Sequence, residues 1–87
     1  MRELVRKELR AARLHASVGA TSEAERHIRV VLKVIDAAPE GSVMRHVRGC
    51  IMEAGFAIAQ NDSRIATAAI DEALLALDEE PASTGGE

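Results

Sequence analysis

The chain has 87 residues, a net charge of -3, a single cysteine and a single aromatic residue, Phe56. A chain of this length forms one domain with a thin margin of stability. An interior drawn from Leu, Ile, Val, Met and Ala suits packed helices and excludes an aromatic-rich sheet sandwich. The lone Cys50 excludes an intrachain disulfide, and charges interrupt every apolar run before the roughly 18 residues of a membrane span, so the expected setting is reducing and cytoplasmic, without a membrane partner.

The first helix is predicted from about Arg2 to Val18, because Val5, Leu9, Ala12 and Ala16 fall on one face of a 3.6-residue period. Gly19 supplies a left-handed stop. Arg2, Arg6, Arg10 and Arg13 make a second stripe on this helix, and Glu3 stands one turn before Lys7 as local support.

Ser22-Glu23-Ala24-Glu25 has the Ser-x-x-Glu form of a capping box and predicts a second helix from near Glu23. Ala24, Ile28, Val31 and Ile35 share one face, and Val30, Leu32 and Val34 widen that apolar arc beyond what one contact needs. Pro39 and Gly41 end the helix near Ala38 and turn the chain.

Ser42 is positioned to cap a third helix running through Val43, Val47, Ile51, Ala54 and Ile58 to about Gln60, with Gly49 and Gly55 as weak points. Asn61-Asp62-Ser63 turns the chain and offers a further cap. The fourth helix carries Ala66, Ile70, Ala73 and Leu77 on one face, flanked by Leu74 and Leu75, and is expected to close at Pro81. Residues 81–87 read as a flexible tail.

Laying the first half over the second at an offset of 42 residues gives eight identities: Val5/Val47, Arg6/Arg48, Ala12/Ala54, Ala24/Ala66, Ile28/Ile70, Leu32/Leu74, Asp36/Asp78 and Pro39/Pro81. Chance in a chain of this composition gives roughly three. The predicted fold is therefore all-α, with a single domain over 1–80 made of two similar antiparallel helical hairpins, 2–38 and 42–80, packed as a four-helix bundle or a short solenoid. Charge divides along the same line. Residues 1–33 hold eight Lys or Arg against four acids, and residues 34–87 hold three against ten, so the hairpins, or two copies of the chain, can pair electrostatically.

Few residues suggest chemistry. His46 and Cys50 lie one turn apart on the third helix and Glu53 continues their line, a nitrogen and sulfur pair suited to Zn or Cu(I) once further donors are added. His15 and His27 flank the first turn, while His46 follows the second, about 20 Å away at 1.5 Å per residue, so the three cannot share one metal within a chain. No phosphate-binding loop and no nucleophile, base and orienting group are recognisable, which argues against an enzyme. Asp71 and Glu72 read as solvated acids.

Ala69-Ile70-Asp71-Glu72-Ala73-Leu74-Leu75-Ala76-Leu77 followed by Pro81 resembles the second helix of a tetratricopeptide repeat, with small residues at Ala69 and Ala76 and a closing proline. The interval of 42 departs from the roughly 34 residues of that family. This resemblance implies a scaffold or peptide-binding role. His46-Val47-Arg48-Gly49-Cys50 resembles the His-x-x-x-Cys stretch of the copper-sensing repressors, small helical DNA-binding proteins. That resemblance implies a metal held by His46 and Cys50, although Thr21 stands where the family has a further thiolate.

The leading expectation is a protein interaction or scaffold domain that forms a homodimer or binds a partner helix through Val30, Val34, Leu74 and Leu75. The alternative is a metal- or thiol-responsive transcriptional regulator, with His46 and Cys50 as the sensor and Arg2, Arg6, Arg10 and Arg13 on nucleic acid phosphates.

Overall fold

The computed structural model describes residues 2–37 and 41–85, with side chains described as far as Asp78. Among the described residues four helices follow one another: α1 (Arg2–Ser17), α2 (Thr21–Ala37), α3 (Gly41–Ala59) and α4 (Ser63–Gly85). Each forms where an apolar face recurs with the helical period. Val5, Leu9, Ala12 and Ala16 are buried on α1, and Ala24, Ile28, Val31 and Ile35 on α2. On α3 the stripe is wider, with Met44, Cys50 and Ala57 joining Val47, Ile51, Ala54 and Ile58.

The turns show why the helices stop. Gly19 has φ +79 and Asn61 has φ +60, both left-handed, and these two residues stand at matching places after α1 and α3. Only Gly takes that conformation without steric cost, and Asn is the best of the remainder. At the start of α4 the side chain of Asp62 accepts from the amide of Ile65 at 3.2 Å, an N-cap. The matching residue before α2 is Ala20, whose backbone carbonyl accepts from Ala24 at 3.0 Å but which has no side chain to cap the free amides. The capping box at Ser22 does not set the boundary, since α2 already begins at Thr21.

Two other boundaries differ from expectation. Helix α3 begins at Gly41 rather than after Ser42. Helix α4 continues past Pro81 to Gly85; proline removes one amide donor from the ladder but leaves the φ angle helical. The second turn, at 38–40, and the last two positions of the expected tail, 86 and 87, lie outside the described residues.

Contacts run in a closed ring: α1 packs on α2, α2 on α3, α3 on α4 and α4 back on α1. A solenoid of stacked hairpins would press α1 on α3 and leave α4 away from α1. The fold is therefore an up-and-down four-helix bundle of two similar antiparallel hairpins, with extents of 41 × 23 × 18 Å. Leu9, Ile35, Ile51, Ile70 and Leu77 are its largest fully enclosed side chains, each adding about 1.5–3 kcal/mol by leaving water.

The interval of 42 residues also orders the core. Val5, Leu9, Ala12, Ala16, Ala24, Ile28, Val31 and Ile35 correspond to Val47, Ile51, Ala54, Ile58, Ala66, Ile70, Ala73 and Leu77, and every member of both sets is buried. The same interval relates two ion pairs. Arg6 Nε meets Asp78 Oδ1 at 3.1 Å between α1 and α4, and Arg48 Nε meets Asp36 Oδ1 at 2.9 Å between α3 and α2. Exchanging the hairpins turns one pair into the other. Arg13 adds a two-point contact with Asp71 on α4, at 2.6 and 3.3 Å, so the basic first hairpin and the acidic second one are pinned together within one chain.

Candidate functional site

Two features of the surface go beyond what the fold requires: a polar cluster on the seam between α3 and α4, and apolar side chains left in solvent. The cluster begins with His46 and Cys50, whose i, i+4 spacing places them on one face of α3. Cys50 Sγ lies 3.7 Å from His46 Nε2, and the same nitrogen lies 3.4 Å from Glu72 Oε2 on α4. One donor atom from each of the three residues falls within 4.8 Å of the others.

Glu72, not Glu53, is thus the third donor of this group. Glu53 stays on the edge of the same cleft, which Arg45, Gly49 and Ala69 also line. Nothing in the sequence pairs Glu72 with His46, because the contact depends on how α3 and α4 slide past one another. Among the described residues this is the group of His, Cys and acidic side chains whose donor atoms lie close enough together that they could hold a metal ion.

Burial pushes the Cys50 thiol above its ordinary range, and the negative charges of Glu72 and Glu53 push it further the same way. The sulfur is therefore held as a neutral thiol, a poor nucleophile until a cation displaces its proton.

The other histidines meet at the opposite end of the bundle. His15 and His27 stack with ring centroids 5.4 Å apart and planes 10° from parallel, and His27 Nδ1 lies 2.6 Å from Glu8 Oε1. The ring N–H donates to the carboxylate across the α1–α2 seam. This is a half-buried structural contact.

The arginine stripe of α1 does not form an open row. Arg6 is turned to Asp78 and Glu3, and Arg13 to Asp71; the Asp71 carboxylate also raises the Arg13 pKa through a hydrogen bond and its charge. Asp71 and Glu72, expected as merely solvated acids, both face partners.

Of the expected interface residues, Val30 and Leu75 are exposed, whereas Val34 and Leu74 are half-buried against the core of their own chain. The sequence reading missed a more exposed pair. Phe56 is 69% exposed and Met52, one turn earlier on α3, is 51% exposed. Their signal was present: at 100° per residue both fall on the side of α3 opposite Val47, Ile51, Ala54 and Ile58. Leu14, at the place on α1 matching Phe56, is also exposed.

Among the described residues no helix is long and apolar enough to cross a membrane. Compared with known proteins, the chain matches no family model, no curated protein and no solved structure.

Proposed function

We propose that this bundle works by self-association, with a second copy of the chain docking on the outer face of α3 and with Phe56 near the two-fold axis. The observation that carries the reading is the exposure of Phe56, the single aromatic of the chain, beside exposed Met52. Burying a side chain of that size is worth about 1.5–3 kcal/mol, and aromatic anchors flanked by Met are typical of interface centres.

A second copy is favoured over an unrelated partner by charge. Helix α2 beside this face exposes Arg29 and Lys33, and the α4 side of the same face exposes Glu53. A two-fold arrangement about α3 sets the basic flank of one copy against the acidic flank of the other. Val30 and Leu75 lie outside the centre of such a contact, and Val34 is a poor probe because Val34→Asp damages its own core.

Sedimentation equilibrium over a micromolar concentration series is the test. A dimer is expected for the natural chain, with Phe56→Glu weakening it at least about 30-fold, the effect of losing an anchor worth about 2 kcal/mol, while helical content is kept. A natural chain that stays monomeric throughout, or a Phe56→Glu variant that associates unchanged, refutes the reading.

The metal- or thiol-responsive regulator is the second reading, favoured by the addition of Glu72 to His46 and Cys50. Its nucleic-acid half is the weaker one. Two of the four arginines it needs are already engaged by acids of α4.

A further inference from the structure

We propose that the seam between α3 and α4 is a zinc site in which His46 Nε2, Cys50 Sγ and Glu72 Oε2 are the protein ligands and a fourth position opens to the cleft. The proposal is independent of self-association and holds for a single copy of the chain.

The geometry can be tested against the ion. Tetrahedral zinc with Zn–S about 2.3 Å, Zn–N about 2.05 Å and Zn–O about 2.0 Å requires S···N and N···O separations of about 3.6 and 3.3 Å. The observed separations are 3.7 Å for Cys50 Sγ to His46 Nε2 and 3.4 Å for His46 Nε2 to Glu72 Oε2. Two edges of the coordination polyhedron are therefore already close to their final length. The third, from sulfur to carboxylate, lies within 4.8 Å and closes by a small rotation of the exposed Glu72 side chain.

The donor set selects among metals. A thiolate and an imidazole suit both zinc and Cu(I), but a carboxylate is a hard ligand that zinc accepts and Cu(I) does not favour. Of the two metals expected from the His46 and Cys50 pair alone, Glu72 decides for zinc. Cys50 and Ala69, which stands three residues before Glu72 on α4, are both buried and line the same cleft, so the floor of the site is built from both helices. The fourth position faces a cleft of about 330 Å³ lined by Arg45, Gly49 and Glu53, open enough to admit water. On binding, the Cys50 S–H bond is replaced by an S–Zn bond and the proton passes to buffer.

Hairpin one supplies an internal contrast. The positions matching His46, Cys50 and Glu72 are Leu4, Glu8 and Val30, so the corresponding seam there offers one donor and two apolar side chains. The ligands are a property of this seam and not of the hairpin design.

The test uses the full chain, stripped of metal, titrated with Zn²⁺ in competition with a chromophoric chelator and separately with Co²⁺. One equivalent of Zn²⁺ per chain is expected, with a Co²⁺ spectrum showing a sulfur-to-metal charge-transfer band that Cys50→Ser abolishes. His46→Gln and Glu72→Gln, both at exposed positions that leave helical content intact, are expected to weaken Zn²⁺ binding at least about tenfold, the minimum seen even for outer-sphere changes. Glu53→Gln is the control and is expected to change affinity by less than about threefold on the same scale. Less than one equivalent bound, the absence of a charge-transfer band in the natural chain, a Glu72→Gln variant with unchanged affinity, or an equal loss in Glu53→Gln each overturns the assignment.

Discussion

The two hairpins bury the same eight positions but use the spaces beside them differently. In hairpin one, α1 and α2 are spaced by Glu8, His15 and His27, which make a stacked and hydrogen-bonded seam. In hairpin two, the matching positions are Cys50, Ala57 and Ala69, all buried, and α3 and α4 make the most extensive pairing in the bundle. Small residues let helix axes approach, whereas imidazole rings hold them apart. One backbone plan thus carries a polar strut in one half, and in the other a close contact with His46 and Glu72 at its rim.

Leu9→Ala and Ile51→Ala remove corresponding, fully buried side chains, and each is expected to cost about 3 kcal/mol in urea unfolding. A difference much beyond about 1 kcal/mol between them means that the hairpins contribute unequally.

Next come the seams. Ala69→His introduces a ring where α3 and α4 are close and is expected to cost about 2–3 kcal/mol by overpacking. His27→Ala removes a half-buried hydrogen bond to Glu8 and is expected to cost about 1 kcal/mol. Equal costs in thermal unfolding erase the distinction drawn between the two seams.

The caps sharpen it further. Asp62 caps α4 and Ala20 stands in its place before α2. Ala20→Asp is expected to stabilise the chain by about 1 kcal/mol and Asp62→Ala to destabilise it by a similar amount. Denaturant midpoints read both, and an Ala20→Asp variant no more stable than the natural chain shows that the start of α2 is satisfied some other way.

The smallest effect concerns the thiol. Burial and the charges of Glu72 and Glu53 raise the Cys50 pKa, so folding favours the protonated form. This contribution is complete below the thiol pKa of the unfolded chain and is lost as pH rises through the higher folded value. Glu72→Gln removes one of the causes, and Cys50 in that variant is expected to alkylate faster at a fixed mildly alkaline pH in metal-free buffer. An unchanged rate places the Glu72 carboxylate too far from the sulfur to act on it.

Much of the fold was legible in the sequence because helix formation is decided locally. The spacing of Val5, Leu9, Ala12 and Ala16 gives α1 its buried face without reference to any other segment, and Gly19 marks its end because a left-handed residue is needed there. The identities Arg6/Arg48 and Asp36/Asp78 were visible as letters. Their meaning as two cross-hairpin ion pairs was not, since each pair joins residues from different hairpins. The site was half legible: His46 and Cys50 share a helix face by spacing alone, whereas Glu72 was read as a solvated acid.

The number of helices, most of their buried positions and the similarity of the two halves follow from a period that a single helix enforces on its own. Packing between the helices sets the remainder: a closed ring instead of a stacked array, and Glu72 beside His46. These depend on the axial offset and rotation of one helix against another, which are set by side-chain volumes at Ala57 and Ala69 and by charges across the hairpins. No local pattern encodes an offset between segments, so only the packed chain brings the three donor atoms together.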